Sequence, residues 1–240
     1  MNIDVPGFRQ SGYTLLPGLM HPADVSATLA YFHDLDAHGA PAGLEPEYDV
    51  AGTQRRLRKL RRILWNDLGL WGPLLKRAGV VSIADALLGK SAAIVFHAAF
   101  LKPARFGTPV ALHQDQALWR YQYPGAFSIW FALTSVEPGN GGLYGCPGSQ
   151  RDGLVPHEDR AEYPWHPSVD PHLPGLAQPQ QFSLSPGDAV LWDRYFVHGS
   201  GPNTSPSDRI GTVVVVCDTS TPGFMATDSF PIDEIRAVAT

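Results

Sequence analysis

Short apolar segments separated by glycine- and proline-rich turns fill the second half of the chain and restrict its fold more than any other feature. The chain contains 24 glycines and 22 prolines among its 240 residues. Apolar runs of strand length end at such turns, for example residues 92–101 before Pro103, and residues 210–217. Short strands joined by tight turns are typical of a barrel or a two-sheet jelly roll. We therefore predict a mainly β fold with helices packed outside the sheets.

The first half of the chain has a different pattern. Residues from about 20 to 90 show helical periodicity, with a predicted break near Gly72-Pro73. A chain of 240 residues that is 44% hydrophobic can bury one large core. We expect a single domain over residues 1–240, in which the helical part supports a β core at about 92–217.

Composition limits the classes of partner. The net charge of −5 argues against a general nucleic-acid binder, which needs clustered positive charge to contact phosphates. No run of about 18 apolar residues is present, so no membrane span is expected, and the start does not resemble a secretion signal. We predict a cytoplasmic protein that acts on a small molecule. Cys146 and Cys217 are isolated, which favours ordinary packed thiols over a disulfide or a zinc cluster.

Residues 55–62 form the one dense group of charges, with six cations in eight positions. One interpretation is a solvated segment whose Leu57, Leu60 and Leu64 face inward. The other is a mobile flap whose cations attract an anionic substrate or carrier. Proximity to the functional site decides between them.

The sequence His113-Gln114-Asp115 carries the strongest chemical signal. On a strand predicted over residues 110–115, side chains two positions apart project to the same face, which brings His113 and Asp115 together. His198 follows a distant strand and could complete the set. Two imidazoles and one carboxylate that leave coordination positions open suit non-haem Fe(II).

Other residues are weaker candidates. Trp119 and Tyr121 could line a substrate entrance or pack across strands, and His97 is a candidate for the substrate wall rather than for the metal. Residues 150–181 are rich in proline and lack periodicity, which favours a lid over the site. We assign the histidines of this segment, among them His166, to the lid or the surface.

Several short motifs, considered together over residues 8–217, resemble the phytanoyl-CoA dioxygenase family of Fe(II)/2-oxoglutarate oxygenases. They are His-Gln-Asp at 113–115, Trp-Phe-Ala-Leu at 130–133, Asn-Gly-Gly-Leu at 140–143, Pro-Gly-Ser at 147–149, Gly-Asp at 187–188, and His-Gly-Ser at 198–200 followed by Arg209. The resemblance implies a double-stranded β-helix, the cupin-like form of the jelly roll. Gln150 departs from the family, which usually has histidine there, and we expect an effect on turn packing.

The resemblance also implies a role for each matching residue. The iron ligands would be His113, Asp115 and His198, and the co-substrate 2-oxoglutarate would be contacted by Arg209, Ser200, Gln114 and Trp130. Arg209 and Ser200 would bind its far carboxylate, since a guanidinium can donate two parallel hydrogen bonds to a carboxylate. Oxygen would be the remaining co-substrate. Related halogenases have a small residue in place of the carboxylate ligand, so Asp115 favours hydroxylation or another oxidative outcome over halogenation.

The substrate is left open by the sequence. We favour oxidation of an amino acid or a secondary metabolite, with release of succinate and CO2. An acyl-CoA hydroxylase of the same family is the first alternative. A cupin-type isomerase or lyase that does not use 2-oxoglutarate is another, although Arg209 would then have no role, and a non-catalytic binding module would not need three intact ligands. The sequence does not indicate an oligomeric state.

Overall fold

A computed structural model of the chain describes residues 3–164, 166–221 and 228–239. The helices in these ranges are α1 (Val5–Ser11), α2 (Pro22–His38), α3 (Ile63–Asn66), α4 (Leu68–Arg77), α5 (Val80–Leu88), α6 (Asp115–Leu118) and α7 (Ile232–Ala237), with a 3-10 turn at Ser149–Asp152. The strands are β1 (Tyr13–Leu16), β2 (Glu45–Ala51), β3 (Gln54–Arg61), β4 (Ala92–Lys102), β5 (Val110–His113), β6 (Phe127–Ala132), β7 (Leu143–Gly145), β8 (Gln180–Gln181), β9 (Ala189–Asp193), β10 (His198–Ser200), β11 (Arg209–Asp218) and β12 (Phe230–Pro231).

Two antiparallel sheets form the architecture. The larger sheet has the order β1-β9-β6-β11-β4-β3-β2, with β12 paired to β4, and the smaller sheet has the order β5-β10-β7-β8. The long strands β4 and β11 pair over their whole length at the centre of the larger sheet. This arrangement confirms the predicted mainly β, jelly-roll class with flanking helices.

The helices cover one face of the larger sheet. Phe32 of α2, Trp71 of α4 and Ile83 of α5 are buried in the same cluster as Ile94 of β4 and Val214 of β11. Because β11 is covered on this face and faces the smaller sheet on the other, its residues from Arg209 to Cys217 are all buried, as expected for a strand with no solvent face.

The helix break predicted near Gly72-Pro73 is wrong. Helix α4 continues through Pro73 to Arg77, and the chain turns instead at Gly79, which has φ 73° and precedes α5. Proline removes one backbone hydrogen bond, but most helical stability in proteins comes from packing of the buried face. Trp71 and Leu75, on either side of Pro73, are almost fully buried and supply that packing.

The structure places both thiols in apolar surroundings, as the sequence indicated. Cys146 and Cys217 are free and buried. Burial raises the pKa of Cys146 to about 11 and that of Cys217 to about 12, which keeps both protonated at neutral pH. None of the helices within the described ranges has both the length and the apolarity that crossing a bilayer requires.

The basic run lies on β3, which forms a hairpin with β2. Glu47 pairs with Lys59 and Tyr48 pairs with Leu57, so Arg58 is an extra residue of β3 at a shift of the register. Such a β-bulge interrupts the alternation of side chains. Leu57 and Leu60 are therefore both buried in the helix-covered core, together with Leu64 of α3.

Leu60 offers a test of this core assignment. Leu60→Ala should lower the free energy of unfolding by roughly 2–5 kcal/mol, because it leaves a cavity in a fully buried position. Arg55→Ala, at an exposed position of the same strand, should change it by no more than about 0.5 kcal/mol. Urea unfolding followed by circular dichroism measures both. A loss for Leu60→Ala as small as that of the control would contradict the assignment.

Candidate active site

Two strands of the smaller sheet bring the predicted histidines together. His113 of β5 is the direct partner of His198 of β10. The Nε2 atoms of both rings lie 3.7 Å from Oδ1 of Asp115. These three atoms lie within 4.8 Å of one another, which is the spacing that one bound metal ion requires. The donor set is therefore assembled as the sequence predicted.

Asp115 reaches this position by a different local structure from the one expected. Strand β5 ends at His113, and Asp115 begins the one-turn helix α6. Gln114 between them has extended backbone angles, φ −109° and ψ 134°, so the alternation of side chains continues through it. The prediction of a strand through Asp115 is wrong, but the predicted common face is kept.

Hydrogen bonds to the outer atoms fix the orientation of each ligand. Nδ1 of His113 donates to the carbonyl of Ala111 at 2.8 Å, and Nδ1 of His198 donates to that of Phe196 at 2.9 Å. Because a carbonyl only accepts, the proton lies on Nδ1 and the lone pair on Nε2 faces Asp115.

The carboxylate of Asp115 is held in the same way. Its Oδ2 accepts hydrogen bonds from Ser128 Oγ at 2.6 Å and from Trp192 Nε1 at 2.8 Å, which leaves Oδ1 for the metal. Burial opposes ionisation of Asp115, but the neighbouring His198 and His113 and the bond from Ser128 lower its pKa below the usual range. Burial and the proximity of His113 lower the pKa of His198 to about 4. An ionised carboxylate beside a neutral imidazole is the charge state that binds a divalent cation.

The triad opens into a cavity of about 770 Å³, including its mouth, that extends to Arg209 and Ser200. Arg209 is 1% exposed, and its Nε and Nη2 donate to the carbonyl of Gly141 at 3.2 and 2.8 Å. Its guanidinium carbon lies 5.3 Å from the ring centre of Trp130, which packs over Gly211, where a Cβ would be 1.9 Å from the indole. Burial lowers the pKa of Arg209 to about 9, so the group stays charged at neutral pH.

A second buried cation lies beside Arg209. Lys102 is its direct partner between β4 and β11, lines the same cavity and is 4% exposed. Its ammonium donates to the carbonyl of Thr108. Burial, and then the charge of Arg209, lower the pKa of Lys102 well below its usual value, while Asp49 opposes this shift. The position of Lys102 in the cavity wall was not predicted from the sequence.

Gln114 does not contact the cavity, contrary to the prediction that it binds the co-substrate. Its side-chain Nε2 donates to the carbonyls of Gly153 at 2.7 Å and Tyr195 at 2.6 Å, and its Oε1 accepts from the amide of Val155 at 2.9 Å. A buried amide with these bonds is satisfied by the protein itself. Gln114 therefore fastens the segment after the Pro-Gly-Ser turn to the triad strand.

The three candidate substrate residues have different positions. Trp119 lines the cavity beside the triad, whereas Tyr121 is 37% exposed and does not line it. His97 is fully buried on the opposite face of β4, where its ring contacts Trp71 with the centroids 4.9 Å apart. Its Nε2 is 3.1 Å from Thr212 Oγ1. The prediction that His97 contacts the substrate is wrong, because it projects away from the cavity.

The segment 150–181 lies against the triad strand. The amide of Val169 donates to Leu112 at 2.7 Å, and the ring centre of His166 lies 4.7 Å from that of His113. Burial and the proximity of His113 lower the pKa of His166 to about 4, so its ring is neutral at neutral pH. Sequence reasoning missed the proximity of His166 to the triad, since an irregular segment has no periodicity from which a direction can be read. Movement of this segment as a lid stays a prediction.

Gln150, the departure from the family motif, has a role in packing. Its Nε2 donates to the carbonyls of Arg9 at 3.0 Å and Gln10 at 3.3 Å, which joins the turn after the Pro-Gly-Ser motif to the end of α1. Its Oε1 would lie 2.2 Å from a Cβ at Gly12, so that glycine gives the side chain its space.

The hydrogen bond from Trp192 to Asp115 makes a testable contribution to metal binding. Trp192→Phe removes the donor and should weaken Mn(II) binding by about 10-fold or more, as loss of an outer partner of a ligand typically does. Trp119→Phe is the matched control, since Trp119 lines the same cavity and no bond from it to Asp115 is among the contacts described. Isothermal titration calorimetry measures the Mn(II) affinity of both variants. Equal affinities of the two variants would show that the indole donor does not support the carboxylate.

Comparisons with known proteins agree with this geometry. The sequence model of the family described as phytanoyl-CoA dioxygenase (PhyH) matches residues 8–211. The chain is 28% identical to phytanoyl-CoA dioxygenase 1 of Oryza sativa subsp. japonica over 142 residues, which is 59% of this chain and 50% of that protein. The match thus spans about half the length of that relative. It is 26% identical to ectoine dioxygenase of Nocardia farcinica over 226 residues, which is 87% of this chain and 74% of that protein.

A solved structure shows the same fold at a higher coverage. The crystal structure of EvdO2 from Micromonospora carbonacea var. aurantiaca complexed with 2-oxoglutarate superposes with a TM-score of 0.72 and 27% sequence identity, covering 95% of this chain and 96% of that one. With the family model matching most of the sequence, the chain belongs to the phytanoyl-CoA dioxygenase family of Fe(II)- and 2-oxoglutarate-dependent oxygenases.

Proposed function

We propose that the protein is an Fe(II)- and 2-oxoglutarate-dependent dioxygenase that hydroxylates a small molecule and releases succinate and CO2. One observation carries the proposal: the oriented triad of His113, Asp115 and His198 opens into the same cavity as the buried Arg209 and Ser200. A metal site and a carboxylate anchor are the two halves that this reaction needs. The 2-oxoglutarate bound by EvdO2 supports the same assignment by similarity.

Each group of residues has a part in the reaction. The triad would hold Fe(II), which, when bound, supplies the oxygen activation that oxidises the substrate. Arg209 and Ser200 would bind the far carboxylate of 2-oxoglutarate, and Trp130 would limit where the co-substrate can lie. The apolar walls, such as Val213, exclude water from the space beside the triad. Exclusion of water protects reactive species from side reactions.

The competing functions explain less of the cavity. An isomerase or lyase of the cupin type would use the triad without 2-oxoglutarate. The burial of Arg209 next to Lys102 would then lower the stability of the protein without serving to bind a ligand. A binding module would not require His113 and His198 to be held in the tautomer that presents Nε2. The dioxygenase accounts for both observations.

The substrate is proposed to be an amino acid or a secondary metabolite. Ectoine dioxygenase, a relative over 87% of this chain, is named for a small metabolite. One cavity, whose volume of about 770 Å³ includes open solvent at its mouth, must hold the co-substrate and the substrate together, which favours a small molecule. An acyl-CoA substrate is the second candidate, because Arg58 of the basic run lines this cavity and could contact a phosphorylated carrier.

Succinate release tests the class. The wild-type protein with Fe(II), 2-oxoglutarate and oxygen should bind 2-oxoglutarate and form succinate, more so with a substrate found in a metabolite screen. His113→Ala should abolish succinate formation while circular dichroism shows a folded protein. Turnover retained in His113→Ala would refute the metal site.

Arg209→Lys keeps the charge but loses the forked geometry and should raise the 2-oxoglutarate concentration required by about 10-fold or more. Arg120→Lys at the exposed surface is its control.

Lys102 predicts that 2-oxoglutarate binding takes up a proton. In the absence of a ligand, burial and then the charges of Arg209 and Arg58 lower the pKa of Lys102, whereas Asp49 raises it. A carboxylate bound beside it raises that pKa again, so binding should draw a proton from the buffer. Calorimetry in buffers of different ionisation enthalpy, at a series of pH values from neutral up to the usual pKa of lysine, measures the uptake. It should disappear in Lys102→Met, and an equal uptake in that variant would assign the proton to another group.

A further inference from the structure

The β2–β3 hairpin directs two adjacent cations towards the cavity. Because Arg58 is the extra residue of the bulge, Arg58 and Lys59 both project from the face opposite to the buried leucines. Arg58 lines the cavity, with its side chain 12% exposed. The ammonium of Lys59 lies 5.1 Å from the ring centre of Phe100 and 5.9 Å from that of Phe96, and both rings line the cavity.

Glu47 contacts Arg58, and both Glu47 and Asp115 are near enough to influence Lys59. Glu47 interacts with Arg58 at 3.5 Å and with Arg61 at 3.1 Å. In the part of the chain that the structure describes, no carboxylate lies within 4.0 Å of the Lys59 ammonium, although Glu47 is near enough to influence it. Burial lowers the pKa of Lys59, an effect that Glu47 opposes and that Arg61 and Arg58 strengthen. A partly desolvated cation of this kind is stabilised when an anion binds next to it.

The remaining wall of this part of the cavity is apolar. Val213 and Val215 of β11 and the ring of Trp119 line it, next to Phe96. The proposed co-substrate anchor is Arg209 with its neighbour Lys102, and Arg58 is near enough to Lys102 to lower its pKa. The space beside the triad thus combines a cationic edge with an aliphatic and aromatic surface.

We infer that the primary substrate is an amphipathic carboxylate, whose acidic group contacts Arg58 and Lys59 while its apolar part lies against Val213, Val215 and Trp119. This inference rests on the proposed function and specifies its substrate class. A charge-assisted hydrogen bond to each cation fixes one end of the molecule, so that a carbon of the apolar part lies next to the triad. An uncharged molecule of the same shape loses the charge assistance of these bonds.

Binding of matched acids and amides tests the inference. Protein loaded with Mn(II) and 2-oxoglutarate is titrated calorimetrically with 3-phenylpropanoate, hexanoate and their primary amides. The wild-type protein should bind each acid about 10-fold or more tightly than its amide, as expected for the loss of a hydrogen bond to a charged group. Lys59→Met and Arg58→Met should each reduce this ratio several-fold. Lys59→Arg, which keeps the charge, should preserve it.

Arg55→Met is the matched control, because Arg55 is an exposed cation of the same strand that stacks on Tyr48 instead of facing the cavity. It should keep the wild-type ratio. Equal binding of acid and amide by the wild-type protein, no binding of the acids, or an unchanged ratio in both methionine variants would overturn the inference. A loss of 2-oxoglutarate affinity in those variants instead of a loss of acid selectivity would assign the pair to the co-substrate and would also overturn it. A wild-type protein that does not bind 2-oxoglutarate would refute the proposed function itself.

Discussion

The pairing of His113 with His198 between β5 and β10 is the constraint on which the site depends. It brings the two rings to a centroid distance of 4.4 Å, and carbonyls two residues before each histidine fix their tautomers. Since a slip of one residue in a strand turns every side chain to the opposite face, the donor set exists in one register only. Gln114, with its bonds to Gly153, Val155 and Tyr195, ties this strand to both the irregular segment and the chain before β10. Fold and metal site are therefore specified by the same contacts.

Charge is separated along the cavity. The carboxylate of Asp115 lies in one region, whereas the basic side chains of Arg209 and Lys102 are buried side by side in another. Burial and the charge of Arg209 lower the pKa of Lys102, because two charged groups held together in this environment repel and lose hydration. Under the proposed function, a dicarboxylate with one end on a metal ion held by the triad and the other end on Arg209 would offset this repulsion. The basic groups are in place before such a ligand binds, so that binding would need little rearrangement of the site.

The sequence could predict those parts of the molecule that depend on periodicity or on an ordered set of motifs. The apolar runs located β4 and β11, and the spacing of the motifs brought out the triad and Arg209. Alternation along β4 could place His97 on the face opposite to that of Phe100 and Lys102, but which of the two faces lines the cavity follows from tertiary packing. The contacts of Gln114 and His166 could not be predicted, since their partners lie in the irregular segment 150–181, whose path follows from tertiary packing and not from a repeating pattern.

The basic run shows how a local irregularity reconciles two interpretations that the sequence left open. Leu57 and Leu60 are three positions apart, and an uninterrupted strand would place them on opposite faces. Both are fully or almost fully buried in one core, which is possible only because the bulge at Arg58 adds a residue between them. The same added residue turns two neighbouring cations to the cavity side. The spacing of the two leucines therefore requires the bulge. Because of the bulge, β3 contributes basic side chains to the cavity wall, as β4 does with Lys102 and β11 with Arg209.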